Sequence, residues 1–482
     1  MTMKISVKYM LLAPMLALLA ACGGGGKDSS SSTTTTPTLL SIAVTPATPT
    51  VAVGLTQQMT ATGTYSDGKS AAITTGLTWS VKGPNITVLS ATGLVTGKAI
   101  GTDTVTATVG SVTGSTNVTV RGQWDAISAG GNHTVGRRAD GALYAWGWNR
   151  QGQLGEASNG DRATPTLVSS TGVKLPWKQV AVGELHTLAI DSDGVLWAWG
   201  YNQNGQLGDG TTVDKNVPVK VGSAKDWVSI AAGKSHSMAI NKSGVMFGWG
   251  RNFNGQLGDD SKVDRLAPTR VATVTTGTPA VTVTWTAVSA GASHTLARAM
   301  DGTLWGWGGN TKSQLGNNAV ADVQKPAKIG VSTWASVAAG GTHSLGIRAD
   351  GTLWAWGDNS SGQLGVATTN TAVTAPVPTQ VGTASNWSVI ASGLAHSLGV
   401  RTDGTLYGWG SNSNGQVGNG STVNVGAPTQ IGTAITWVNV ESGLQHSVAL
   451  QKDNSVWLWG RNTEGQLGNG TQTDVTAPAV LP

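Results

Sequence analysis

Residues 177–208 read WKQVAVGELHTLAIDSDGVLWAWGYNQNGQLG, and six near-copies of this stretch occur elsewhere in the chain. The seven copies start at Trp124, Trp177, Trp227, Trp285, Trp334, Trp387 and Trp437. Each runs W-x-x-[VI]-x-[AVS]-G-x-x-H-[ST], passes through a D-G-like turn, and ends in aromatic-x-W-G-x-N-x-x-[GS]-Q-[LV]-G. All seven histidines of the protein (His133, His186, His236, His294, His343, His396 and His446) fall at the same place in the pattern. Alternating apolar residues, broken by Asp-Gly pairs that adopt hairpin turns at little steric cost, read as short antiparallel strands. A period of about fifty residues built this way marks a β-propeller. Seven copies predict seven blades, and the fold class is all-β.

The strand order predicts which loops share a face. The first strand of a copy ends at A-G and the second starts at H-[ST], so G-x-x-H joins them on one side. The chain then reaches the D-G turn on the other side and returns along aromatic-x-W-G. The W-G-x-N-x-x-G loop therefore lands beside G-x-x-H, and fourteen loops share a face opposite the D-G turns. Residues common to all copies are expected to be structural. Trp146, Trp199, Trp249, Trp307, Trp356, Trp409 and Trp459 should pack between blades. Seven equivalent histidines on separate blades suit a hydrogen bond to a neighbouring loop better than a metal, which takes about four ligands. No metal or other cofactor is expected.

Residues 122–482 resemble the regulator of chromosome condensation repeat family, on the G-x-x-H-[ST], D-G-x-[LV]-[WY] and W-G-x-N-x-x-G-Q-[LV]-G motifs together. That resemblance implies a seven-bladed propeller. The 58-residue interval between His236 and His294 predicts an extra loop or hairpin around Thr273–Thr284. The final Ala477–Pro482, with Leu481 in the last place, resembles a P-x-x-[VI] phrase seen at Pro165–Val168, Pro218–Val221 and Pro428–Ile431. It predicts a strand that completes either blade seven or blade one.

The N-terminal part has another texture. Met1–Tyr9 carries two lysines, Met10–Ala21 is apolar, and Leu19-Ala20-Ala21-Cys22 closes the run with the only cysteine. A basic start followed by an apolar run of about twelve residues predicts a signal peptide over residues 1–21, too short to span a bilayer. The ending resembles the lipobox of bacterial lipoproteins, which implies lipidation of Cys22 and an outer-membrane or cell-surface location in the envelope. Residues 22–38, rich in Gly, Ser and Thr, predict a flexible tether with a mean reach of about 20 Å. Residues 39–121 hold short Val/Thr/Ile runs at Ser41–Thr45, Gln58–Tyr65, Gly76–Val81, Thr102–Thr108 and Ser115–Val120. They predict a small sandwich with Trp79 in its core. The phrases at Ser41–Pro46, Thr60–Gly68 and Gly93–Gly97 resemble the bacterial immunoglobulin-like group 2 domain, a spacer or adhesin part in surface proteins.

Charge is low, at 11% of residues, and the net charge is +5. No stretch is dense in Lys or Arg, so nucleic acid is not an expected partner. Function should lie where the copies differ. The candidates for partner contact are Trp148, Arg150, Tyr201, Arg251, Phe253, Asp358 and Arg461 in the W-G-x-N-x-x slots, with Glu184 and Lys234 in the G-x-x-H slots. Aromatic and arginine side chains gathered in copies one to three have the character of interface anchors. The reading is a lipid-anchored, exported protein whose loop face grips another protein without catalysis. A carbohydrate-binding or adhesin role is the alternative. The family's founding member exchanges guanine nucleotides on a small GTPase, but the residues for that cannot be matched here. The plant ultraviolet-B photoreceptor of this family carries Trp and Arg in its G-x-x-H slots, and this chain has neither there. No nucleophile elbow, metal-ligand spacing or phosphate loop is present. The acids Glu184, Asp209, Asp259, Asp260 and Glu464 remain as candidates to pair across blades in a carbohydrate-active enzyme.

Overall fold

A computed structural model of the chain describes residues 36–169, 171–173, 176–276, 281–366 and 373–481. The expected signal peptide, Cys22 and residues 22–35 of the tether lie outside the described residues. Every regular element among the described residues is a strand.

Residues 39–121 form the immunoglobulin-like sandwich. Leu39–Thr45, Thr60–Tyr65, Thr78–Lys82, Gly101–Val109 and Val112–Arg121 correspond to the predicted runs, and five shorter strands of three or four residues were not legible. Alternation explains the pairing. In Gly101–Val109, Val105 and Ala107 turn inward while Thr102, Thr104 and Thr106 turn outward. Trp79 is buried in a core with Ile42, Val44, Met59, Val95, Val105, Val118 and Val120.

Residues 124–480 form seven antiparallel blades, most of them a separate sheet made from one copy in the order first, second, third, fourth strand. Blade two shows the register: Trp177–Val182 pairs with His186–Asp191, which pairs with Leu196–Gly200, which pairs with Lys215–Lys220. Blades four and five depart from this, because a single strand, Val323–Ala339, serves as the last strand of one and the first of the other. The sequence explains it: four residues separate Ile329 from Trp334, where five separate Val221 from Trp227, and no turn forms. The extra residues after blade three include a hairpin pairing Thr275–Thr276 with Val281–Thr282.

The core lies between blades. Trp199 is fully buried against Leu154 of the preceding blade and Trp177 of its own. Its indole N–H donates to the Gln153 carbonyl at 2.9 Å. Trp249, Trp307, Trp356, Trp409 and Trp459 repeat that bond to the preceding glutamine carbonyl. The ring closes without strand exchange: Val475–Val480 is the fourth strand of blade seven, paired with Val456–Gly460. Leu458, Leu467 and Leu481 then pack on Trp124, Ile127 and Trp146 of blade one. Deleting Pro478–Pro482 removes buried Leu481 and half the terminal strand. The melting temperature should fall by several degrees, which differential scanning calorimetry would measure; an unchanged value would show that the closure does not depend on it.

The sandwich rests on the D-G side. A cleft of about 120 Å³ lies between its Thr50–Gln57 segment and Asp453, Asn454 and Ser455 of blade seven. Another of about 280 Å³ lies between Ile100 and the Ala139–Asp140 turn of blade one. Thr50–Ala52 runs parallel to Thr119–Arg121, so the chain from Leu39 to Ala52 travels toward the propeller. Leu39 is therefore at the sandwich end remote from it.

Candidate functional site

The loop face is built in concentric rings. At its centre the G-x-x-H loops surround an axial cavity of about 110 Å³, lined by Gly, Ala and Ser with Glu184, Lys234, Leu394 and Leu444. Backbone hydrogen bonds run around it from blade to blade: Gly131 N to Gly183 O, Glu184 N to Gly233 O, Lys234 N to Gly291 O, Ala292 N to Gly340 O, Gly341 N to Gly393 O, Leu394 N to Leu444 O, and Leu444 N back to Gly130 O. The residue after each W-G bonds the adjacent inner loop, as Trp148 N does with Asn132 O, Tyr201 N with Leu185 O and Arg251 N with Ser235 O. Two positions further on, the side chains of Arg150, Phe253, Ser360 and Ser413 are exposed and form an outer ring.

The histidines hold this frame from beneath. Each is fully buried, and its Nε2 meets the Ser or Thr that follows the histidine of the next blade, at 2.9–3.1 Å. That hydroxyl in turn donates to the glutamine carbonyl of the blade carrying the histidine, as Thr187 does to Gln153 O at 3.0 Å and Thr134 does to Gln466 O at 2.9 Å. A hydroxyl has one proton, already given to the carbonyl, so it accepts from Nε2–H. Each imidazole is thereby held as the neutral Nε2 tautomer. Burial pushes their pKa values down to about 3 or 4. The glycine of G-x-x-H is required by this packing: a Cβ on Gly183 would lie 2.4 Å from His186 Cε1 and 2.6 Å from Gly233 O. Among the described residues no group of three His, Cys, Asp or Glu could hold a metal ion. The conserved chemistry of the repeat is spent on holding the ring.

The variable residues are distributed unequally. Phe253, at 68% exposure, Arg150 and Arg251 are open to solvent. Trp148 and Tyr201 are half-buried, so they are less prominent than the sequence suggests. Asp358 is buried, its Oδ2 accepting from Gln363 Nε2 and Ser360 Oγ at 2.9 Å. It belongs to the frame of blade five and does not project from the face. Lys234 and Glu184 pair with each other at 3.2 Å across two blades. Arg461 pairs with Glu464 at 2.8 Å and also donates to Gln445.

The five acids considered for catalysis do not pair with one another. Asp209 meets Lys215, Asp259 meets Arg265 and Asp260 meets Lys325, as Glu184 and Glu464 meet Lys234 and Arg461. At Asp209 the upward push of burial is outweighed by Thr211, Asn202 and Lys215, so its pKa is lowered; Asp259 is held down likewise by Ser261, Arg265 and Asn252. A raised acid on this face, as a proton donor to a sugar oxygen requires, is not provided by either. A recurrent cap was missed in the sequence: Asn149, Asn202, Asn252, Asn310 and Asn462 donate their backbone N–H to an aspartate twelve residues on. The constant spacing was its signal.

Comparison with known proteins fits this geometry. A model of the RCC1-like domain matches residues 175–482, and models of the regulator of chromosome condensation (RCC1) repeat match 140–190 and 124–153. The chain belongs to the RCC1-like domain family. The bacterial Ig-like domain (group 2) matches residues 40–120. The ultraviolet-B receptor UVR8 of Arabidopsis thaliana is 33% identical over 302 residues, 62% of this chain and 56% of that protein. Ice-binding protein 1 of Shewanella frigidimarina is 49% identical over 74 residues, 15% of this chain and 8% of that protein. The chain thus spans little more than half of one relative and a small part of the other. Among solved structures, Prp20p of Saccharomyces cerevisiae superposes with a TM-score of 0.63 at 24% identity, covering 75% of this chain and 87% of that one. Human WBSCR16 gives 0.61 at 22% identity, over 72% and 94%. Both show the fold.

Proposed function

We propose that this RCC1-like protein is exported, anchored by a lipid on Cys22, and uses the loop face of its propeller as a non-catalytic scaffold that binds another protein. The observation that carries the reading is the placement of the sandwich. It occupies the D-G side over blades seven and one, with Leu39 at its remote end. A tether entering at Leu39 leaves the whole loop face pointing away from the anchor, and loops on a rigid frame are where binding is commonly carried. Relatives support a protein ligand: a solved structure pairs yeast RCC1 (Prp20) with Kap60, and Prp20p is described by its binding to Gsp1p and histones. Those partners belong to the yeast protein. The light sensing of the receptor is not carried over, because the G-x-x-H slots here lack tryptophan and arginine.

The test uses the purified chain as bait against envelope and culture-medium proteins and a glycan array, beside a Tyr201→Ala/Arg251→Ala/Phe253→Ala variant. A protein partner whose capture falls at least tenfold in the variant is the expected result. Capture of glycans alone would replace the protein scaffold with a carbohydrate or adhesin role. Binding that the variant leaves intact would move the site off this sector.

A further inference from the structure

Large side chains gather on one side of the loop face. Blades one to three present Trp148, Arg150, Tyr201, Arg251 and Phe253, whereas blades four to six present Gly309, Thr311, Ser360, Ser411 and Ser413 at the same positions. The two sets differ in charge as well as in size. The acids of blades one to three face partners of their own: Glu156 meets Arg162, Asp209 meets Lys215 and Asp259 meets Arg265. Arg150 and Arg251 are exposed and make no ion pair among the described residues. Beside Arg251, Phe253 is 68% exposed and Val263 60% exposed. Val263 is held next to it, since its carbonyl accepts from Asn252 Nδ2 at 3.1 Å. An exposed apolar pair beside one guanidinium group without a counter-ion, with a second such group two blades away on the same face, is an incomplete interface.

We propose that this sector takes an acidic segment of a protein partner, with carboxylates on Arg150 and Arg251 and an apolar side chain on Phe253 and Val263. The inference rests on the loop face being the binding face. Guanidinium groups suit carboxylates through paired N–H donors. A segment with an apolar side chain next to one acid and a second acid further along meets the arginine and apolar parts of the sector together. An extended polyanion fits worse, since nucleic acid needs a continuous track of cations and here the intervening acids of the same blades interrupt it.

Panning a random dodecapeptide phage library on the full chain tests the assignment while the natural partner is still unidentified. Enriched sequences should combine Asp or Glu with an aromatic or aliphatic residue. Synthetic peptides from them should bind at least tenfold more weakly to an Arg150→Ala/Arg251→Ala variant, and to the native chain when salt is raised from about 0.05 to 0.5 M. A Lys178→Ala/Lys242→Ala variant on the D-G face should bind them unchanged. Enrichment without acidic residues, or no enrichment, overturns the acidic partner. If such non-acidic peptides still lose affinity on Phe253→Ala, the loop face stands and only its partner chemistry falls. Peptides weakened only by the lysine variant overturn both readings. An oligothymidylate or sulfated glycan bound at this sector in place of peptide would also overturn the proposal.

Discussion

Lowering the pH from 7.5 to 5 should unfold or nearly unfold the propeller. Seven histidines are buried as neutral rings, with pKa values pushed down to about 3 or 4 from an ordinary 6.5. The unfolded chain takes up protons that the folded chain refuses, so stability is intact above 6.5 and is lost as the pH falls toward 4. At pH 5 each ring costs about 2 kcal/mol. Seven together amount to roughly 10 kcal/mol or more, comparable to the whole stability of an ordinary domain. Thermal melts at intervals of half a pH unit would show a steep fall in Tm between 6.5 and 5. A flat profile would mean that the rings gain a counter-charge on protonation. A His236→Gln variant should show a shallower fall, because one of the seven titrating groups is gone.

Replacing Glu441 by serine should stabilise the protein, most at alkaline pH. Six copies hold Ser128, Ala181, Ala231, Ser289, Ala338 and Ala391 at this position of the first strand. The position faces the following blade: Ser128 Oγ accepts from Val182 N and Ser289 Oγ from Ala339 N. Glu441 therefore stands at the seam where blade seven meets blade one, and its carboxyl makes no ion pair among the described residues. The same seam contains Trp146, whose indole N–H lacks the glutamine-carbonyl bond made by its six counterparts. Burial pushes the Glu441 carboxyl up to about 7. A raised acid withdraws stability as the pH climbs from 4.5 through 7, opposite in sign to the histidines. Its removal should add up to about 3 kcal/mol at pH 8, fading to nothing near pH 4.5. Denaturant melts of the Glu441→Ser variant at the two ends of that range would check it. Equal or lower stability at pH 8 would show that the carboxyl has a compensating partner across the seam.

The frame was legible because a propeller repeats its chemistry. The tryptophan, glycine, histidine and glutamine positions recur for one reason in every blade, and strand direction alone placed the two sets of loops together. The fourth strand of blade seven was legible as a strand but not as to which blade it joins, since that depends on closure geometry. The fusion of blades four and five through Val323–Ala339 turned on one missing residue before Trp334. On the candidate site, side-chain type was readable and availability was not. Asp358 looked like a variable surface acid, yet Gln363 and Ser360 five and two residues away draw it into the loop. The pairing of Glu184 with Lys234 joins residues fifty positions apart, and only the ring brings them within 3.2 Å. Glu441 could have been found, since aligning the copies sets a lone acid among Ala and Ser. Its signal lies in a strand, away from the loops where the copies differ most.

The central claim is that the loop face meets a protein partner while the D-G face carries the sandwich. The most direct measurement is photo-cross-linking in cells that make the protein, with benzoylphenylalanine placed at position 253 on the loop face or at 242 on the D-G face. The expected result is a discrete protein adduct from position 253, abolished by Arg150→Ala/Arg251→Ala and absent from position 242. Adducts formed only from position 242, or equally from both, would contradict it.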